Sequence, residues 1–281
     1  HFPRTLTYGN HSYVFWEEVD ASTNQIWISE RIYTSTSEYV DKIRFAGPFN
    51  YSGEVPDIYS VAVSSAGTVI VSIASSDEGI YIFSSKDGGV TFNNQLISTS
   101  KEMLGPRVFY SENGRFRLFT SVIQDGEFQL FYSESKDGAS WSSFKKFNPG
   151  SNFRNPFLPV QIVNGSSDLV VFQAQSSSSV LNRYSYQLFM TTTRDGSSWT
   201  TPILLTDQSS LPDNDPHNYA SYQNQRPNII KYKGKIFLAW ERTENVSSQI
   251  WIAELGNNGL IPKAYNKRAE IYNYADSNVP I

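Results

Sequence analysis

Four arginines stand beside prolines, each just ahead of a strand-like run: Arg4 in Phe2-Pro3-Arg4, Arg107 in Gly105-Pro106-Arg107, Arg154 in Phe153-Arg154-Asn155-Pro156 and Arg226 in Gln225-Arg226-Pro227. Carboxylates and an amide close the strand-like runs that follow, namely Glu17 and Glu18, Gln173 and Glu241. A guanidinium is planar, always charged and presents a rigid fork of donors, so several of them facing one cavity would grip a carboxylate or phosphate bidentately. The same residues admit a plainer role, in which each arginine pairs with a glutamate of its own or the next repeat and closes the structure with ion pairs.

The elements that must carry these residues repeat. Similar apolar runs recur at Ile26-Trp27-Ile28, Ile80-Tyr81-Ile82, Leu130-Phe131-Tyr132, Leu188-Phe189-Met190 and Ile250-Trp251-Ile252, roughly fifty to sixty residues apart, a period that points to a repeat architecture. Upstream of each lies a tight turn with glycine, Gly9-Asn10, Ala66-Gly67, Asn113-Gly114, Asn164-Gly165 and Lys233-Gly234, the usual hairpin signal between apolar runs. Each unit therefore reads as strands A, B, C and D, and four antiparallel strands per repeat make the blade of a β-propeller. A β-sandwich also has many short strands, but it does not require the same turn chemistry at the same place in every unit.

The C-to-D connection nearly repeats itself three times, as Ser85-Lys86-Asp87-Gly88-Gly89-Val90-Thr91-Phe92, Ser135-Lys136-Asp137-Gly138-Ala139-Ser140-Trp141 and Thr193-Arg194-Asp195-Gly196-Ser197-Ser198-Trp199. An Asp carboxylate can accept backbone N–H bonds there, Gly89, Gly138 and Gly196 tolerate positive φ, and Phe92, Trp141 and Trp199 can fold back over the turn. The pattern is similar to the Asp box, or bacterial neuraminidase repeat, and by it the chain resembles the sialidase-like β-propeller superfamily. The resemblance implies an all-β fold of radial blades in one domain over residues 1–281. Five blades are visible. Ser277 to Ile281 reads as the beginning of a sixth, as six is the usual number in sialidases; five blades with a C-terminal tail is the competing reading.

Aromatic residues make up 15% of the 281 and charged residues only 18%, which suits stacked, β-rich blades. A net charge of −4 offers no basic surface for nucleic acid. No apolar stretch approaches the ~20 residues that a membrane helix needs. Cysteine is absent, which excludes disulfides, zinc thiolates and cysteine nucleophiles together. The first residue is His1, so a targeting segment is expected to have been removed, and members of the superfamily are mostly exported; an extracellular or periplasmic location follows from that resemblance.

In a propeller of this topology the A-strand starts and B-strand ends gather at one mouth of the central channel, with the Asp-Gly turns at the other. The resemblance implies an arginine cluster at that mouth, with Arg4, Arg107, Arg154, Arg226, Glu17 and Glu241 as the ligand-binding residues. It also implies, for an active sialidase, a Phe-Arg-Ile-Pro segment, an Asp acid/base and a Tyr nucleophile activated by a Glu. Phe2-Pro3-Arg4-Thr5 is not that segment, nothing singles out Asp20 or Asp57 as the acid, and Tyr219, Tyr222 and Tyr272 are equally placed as nucleophile. No catalytic residue is assigned. The long connection from Asp207 to Gln225 carries Asp213, Asn214, Asp215 and His217 but lacks the spacing of a calcium loop, so neither metal nor cofactor is expected.

These readings converge on an exported sialidase-like propeller that binds a glycan or protein at its channel mouth without catalysis. The rival is an exo-sialidase-type glycoside hydrolase with Arg107, Arg154 and Arg226 as a carboxylate clamp. A third reading is a structural propeller within a larger assembly, because an unpaired blade edge invites pairing.

Overall fold

The computed structural model describes residues 3–20, 22–23, 25–34, 38–50, 58–100, 102–176, 185–206, 222–244, 247–256, 259–260 and 267–269. The described residues form five sheets in which each strand pairs with the next in sequence. The first contains β1 (Arg4–Tyr8), β2 (His11–Asp20), β3 (Gln25–Tyr33) and β4 (Tyr39–Asn50). The second contains β5 (Tyr59–Val63), β6 (Val69–Ser75), β7 (Gly79–Ser85) and β8 (Asn93–Ser98), and the third β9 (Met103–Tyr110), β10 (Phe116–Gln124), β11 (Glu127–Ser135) and β12 (Lys145–Lys146). The fourth is β13 (Phe153–Asn164), β14 (Ser167–Ser176), β15 (Tyr186–Thr193) and β16 (Ile203–Leu204). The fifth is β17 (Tyr222–Tyr232), β18 (Lys235–Glu244), β19 (Ser247–Gly256) and β20 (Gly259–Leu260), with β21 (Lys267–Ala269) also paired to β19. Five successive four-stranded, up-and-down antiparallel sheets are the blades of a β-propeller. The residues read as the start of a sixth lie outside the described ones.

The chain divides into two compact units, His1–Asn148 with Val163–Asp168 and Thr193–Ser198, and Pro149–Ile162 with Leu169–Thr192 and Trp199–Ile281. In the first unit β5 lies against both β1 and β9, so the second sheet is covered on both faces. That is why β6 is buried at every residue and reads Val-Ile-Val-Ser-Ile-Ala-Ser instead of alternating. One face packs Val69, Val71 and Ile73 against Tyr13, Phe15 and Ile28 of the first sheet. The other packs Ile70, Ile80 and Ile82 against Val108, Phe116 and Leu118 of the third. In the second unit Phe172 stacks on Phe189, their centroids 5.9 Å apart, and Phe153 meets Phe172 edge-on at 4.9 Å.

The three Asp-Gly turns share a hydrogen-bond scheme. Asp87 Oδ1 accepts from Thr91 N at 2.8 Å, Asp137 Oδ1 from Ala139 N and Ser140 N at 2.9 Å each, and Asp195 Oδ1 from Ser197 N at 2.8 Å and Ser198 N at 2.7 Å. The preceding hydroxyl accepts the glycine N–H: Ser85 from Gly89, Ser135 from Gly138, Thr193 from Gly196. Trp141 Nε1 donates to Gly138 O at 3.2 Å, whereas Phe92 stacks on Phe45 of β4, centroids 4.6 Å apart. Donors converging on each carboxylate favour its charged form and hold Asp87, Asp137 and Asp195 below the usual range. The stability they supply is therefore present above the ordinary carboxylate pKa and is lost as pH falls below about 4. Asp195→Asn should melt at a lower temperature than the parent at pH 7, and the gap should narrow at pH 2; a gap of equal size at both values would refute this.

These turns also do something that turn chemistry alone does not require. A Cβ on Gly89 would lie 2.7 Å from Glu30 Oε1, one on Gly138 2.3 Å from Ile70 Cδ1, and one on Gly196 2.5 Å from Arg117 Nη2. Each glycine therefore permits close approach to the preceding sheet as well as a φ of +74° to +85°. The turns are joints between neighbouring sheets.

Candidate functional site

Each unit is described separately. In the first, Arg4 opens β1 opposite Phe15, and Glu17 is buried two residues further along β2. Arg107 is placed differently from the sequence expectation: it is inside β9, opposite Phe119, not at the strand's start. β5, which carries no arginine, lies between β1 and β9. Its Tyr59 hydroxyl donates to Phe15 O at 3.0 Å. Glu18 is committed within its own sheet, accepting from Ser29 Oγ and from Arg44 Nε, hydrogen bonds that lower its pKa. Asp20 is held by Ser22, whose hydroxyl and amide both donate to it, and is tied up as a turn acceptor. Asp57, Tyr219, Tyr272 and the Asp213 to His217 stretch lie outside the described residues, and so does the side chain of Tyr222.

In the second unit Arg226 is the fifth residue of β17, again inside the strand. Its backbone N donates to Gln173 Oε1 at 2.9 Å and its Nη1 to Glu241 Oε2 at 2.8 Å, while the side chain remains 62% exposed. Arg154, second residue of β13, is half-buried. Burial raises the Tyr186 phenol above its usual range, and the Arg154 charge opposes the rise. Asn155 Nδ2 donates to Gln175 Oε1 at 2.8 Å. Below this polar rim, Asn224 ties the strands together, donating to Gln187 Oε1 at 2.9 Å and accepting from Trp240 Nε1 at 2.7 Å. Thr206 Oγ1 donates to the same Gln187 oxygen at 2.7 Å.

Backbone geometry marks these positions, and also Leu158 (φ 46°) before Pro159 on β13. The residue before proline is left-handed in three first strands: Gly105 (φ 56°) before Pro106, Asn155 (φ 51°) before Pro156 and Arg226 (φ 51°) before Pro227. Pairing shifts register at two of them, where Gly105-Pro106 faces Thr120 and Arg226-Pro227 faces Trp240. Proline cannot donate to a ladder, so a bulge accommodates it, and bulges re-aim side chains next to functional sites. A positive φ at a non-glycine residue such as Asn155 or Arg226 costs of order 1–3 kcal/mol and persists only where the surroundings hold it. The Arg226–Glu241 contact does not supply that energy, because exposed ion pairs contribute about 0–1 kcal/mol. The buried anchors Gln173, Asn224 and Trp240 hold this stretch of backbone, and the guanidinium stays largely exposed beside Glu241.

No protein-family model matches the sequence, and no curated protein sequence matches it. Solved structures do share its fold. A polysaccharide lyase, PL25-ulvanlyase, bound to -[GlcA(1-4)Rha3S]- is 10% identical over 94% of this chain and 70% of that one, with a TM-score of 0.60. Polysaccharide lyase Uly1 is 13% identical, over 92% and 71%, with a TM-score of 0.58. An endo-1,4-beta-xylanase from Bacteroides thetaiotaomicron is 11% identical, over 95% of each chain, with a TM-score of 0.52. At such identities the likeness is one of fold, and it places this chain among the β-propellers. No helix among the described residues is long and apolar enough to cross a membrane.

Proposed function

We propose that the chain is an exported, sialidase-like β-propeller that binds a glycan bearing acid groups and does not cleave it. The observation that carries this reading is the set of left-handed residue–proline sites at or beside Arg107, Arg154 and Arg226, two of them bulged: strain maintained at the two non-glycine residues, Asn155 and Arg226, supports a role beyond stability. The carbohydrate-active proteins that share the fold, one of them bound to a glucuronate-containing polymer, agree with it. In the second unit Arg154 and Arg226 supply the charge, and Tyr186, Gln173 and Glu241 supply polar contacts.

Titration calorimetry against glucuronate- or sialate-bearing oligosaccharides, with neutral oligosaccharides as controls, tests the reading. Charge-assisted hydrogen bonds contribute about 1.5–3 kcal/mol, so Arg154→Ala or Arg226→Ala should each weaken binding by about tenfold or more. Equal binding of acidic and neutral glycans, or binding indifferent to both variants, would remove the proposal. Sustained turnover of a sialoside would instead establish the rival sialidase reading.

A further inference from the structure

Glu30, in the middle of β3, is fully buried at 0% exposure, and neither of its carboxyl oxygens has a hydrogen-bond partner. Its cross-strand neighbours are Phe15 on β2 and Lys42 on β4. Lys42 reaches past it to donate its ammonium to the carbonyls of Gly89 and Val90 in the first Asp-Gly turn. Gly89 itself lies directly against Glu30 Oε1. An acidic group, a cation and a joint between two sheets thus meet at one place, and the cation serves the joint while the adjacent acid goes unserved.

We propose that Glu30 and Lys42 form a proton-operated latch between the first and second sheets. With Glu30 protonated, Lys42 holds the turn carbonyls; when Glu30 releases its proton to solvent, its carboxylate draws the ammonium back and the turn comes free. The groups facing Glu30 are Lys42 on β4, Asp87 in the turn and Tyr13 on β2. Desolvation by burial pushes Glu30 up to about 8; Lys42 opposes the rise and Asp87 adds to it. A folded-state pKa above the ordinary 4.5 means that the proton stabilises the fold fully below that value and that its contribution is lost as pH rises through about 8. The latch therefore closes in acid and opens in base, the reverse of the Asp-Gly turn carboxylates.

Amide hydrogen exchange across pH 6 to 9.5 tests it. The reporters are Gly89 and Thr91, whose N–H groups bond to Ser85 and Asp87; Gly138 and Ala139 are the equivalent controls in the third sheet. In the unaltered chain, protection of the reporters relative to the controls should fall about tenfold or more with a midpoint near 8, since one pKa unit corresponds to a factor of ten. Glu30→Gln keeps the neutral shape and should show no fall. Lys42→Met, a change at a half-buried position, should show low relative protection at every pH. An unaltered profile in Glu30→Gln, a surviving midpoint in Lys42→Met, or no fall in the parent would each overturn the latch.

Discussion

Arg117→Leu is expected to cost about 3–5 kcal/mol, the usual penalty for breaking a buried ion pair from one side. Arg117 is fully buried in β10. Its Nε and Nη2 donate to Glu134 Oε1 at 3.0 and 2.8 Å, and its Nη1 to Asp168 Oδ2 at 2.9 Å. Asp168 Oδ1 in turn accepts from Glu112 N at 2.8 Å. Leucine would fill part of the volume but leave two carboxylates without their shared cation, beneath the turn at Gly196. Against a total stability of about 5–15 kcal/mol for a typical domain, that loss should lower the urea midpoint substantially with little change in slope. Adding Glu134→Gln and Asp168→Asn should recover part of it, because most of the penalty is the orphaned charge. Arg117→Lys should fall between, lacking the fork. A loss under about 1 kcal/mol in Arg117→Leu would mean that the triad is not the keystone of this joint.

Gly79→Ala should be nearly as damaging, at about 3 kcal/mol or more, by a purely steric route. Gly79 starts β7 with φ 117°, and a Cβ there would stand 2.0 Å from Ser98 O and 2.9 Å from Ser98 C. These are backbone atoms of β8, so no rotamer change can relieve the overlap. The strand pair must separate where its register already shifts, between Ile80 and Tyr81. Gly9→Ala is the matched control: φ is 58°, nothing lies within 4 Å, and only the left-handed penalty of about 1–2 kcal/mol applies. Hydrogen exchange should show β8 losing protection selectively in Gly79→Ala; equal effects of the two substitutions would contradict the steric account.

Much of the architecture was legible in the sequence because its causes are local. Gly9, Gly67, Gly114, Gly165 and Gly234 all have positive φ, and each sits in the hairpin that its dipeptide announces. The arginines were legible as residue types beside proline, but their depth in the strand was not. Arg107 and Arg226 lie inside β9 and β17 because the bulges let pairing continue beyond the prolines, and a bulge depends on the partner strand. Glu30 alternates with Ile26, Ile28 and Ile32 on the buried face of β3, so its interior place was written in the strand's own period. Arg117 alternates against Phe116 and Leu118 in β10, and only a neighbouring sheet turns its position into interior. Asp168 is 51 residues from Arg117, so no short-range pattern could join them.

The up-and-down order of every sheet bears on how the chain reaches this state. Within each sheet every strand after the first bonds to the one synthesised just before it, apart from β21, which pairs back to β19, so every ladder closes over a short stretch of chain. Low contact order of this kind favours rapid folding for an all-β protein. A growing polypeptide can complete one hairpin stack before the next has left the ribosome, and within the first unit each new stack then seals the exposed face of its predecessor. Such assembly is directional and incremental, like that of other repeat proteins, and an arrest after the first or second sheet would leave one sticky face waiting.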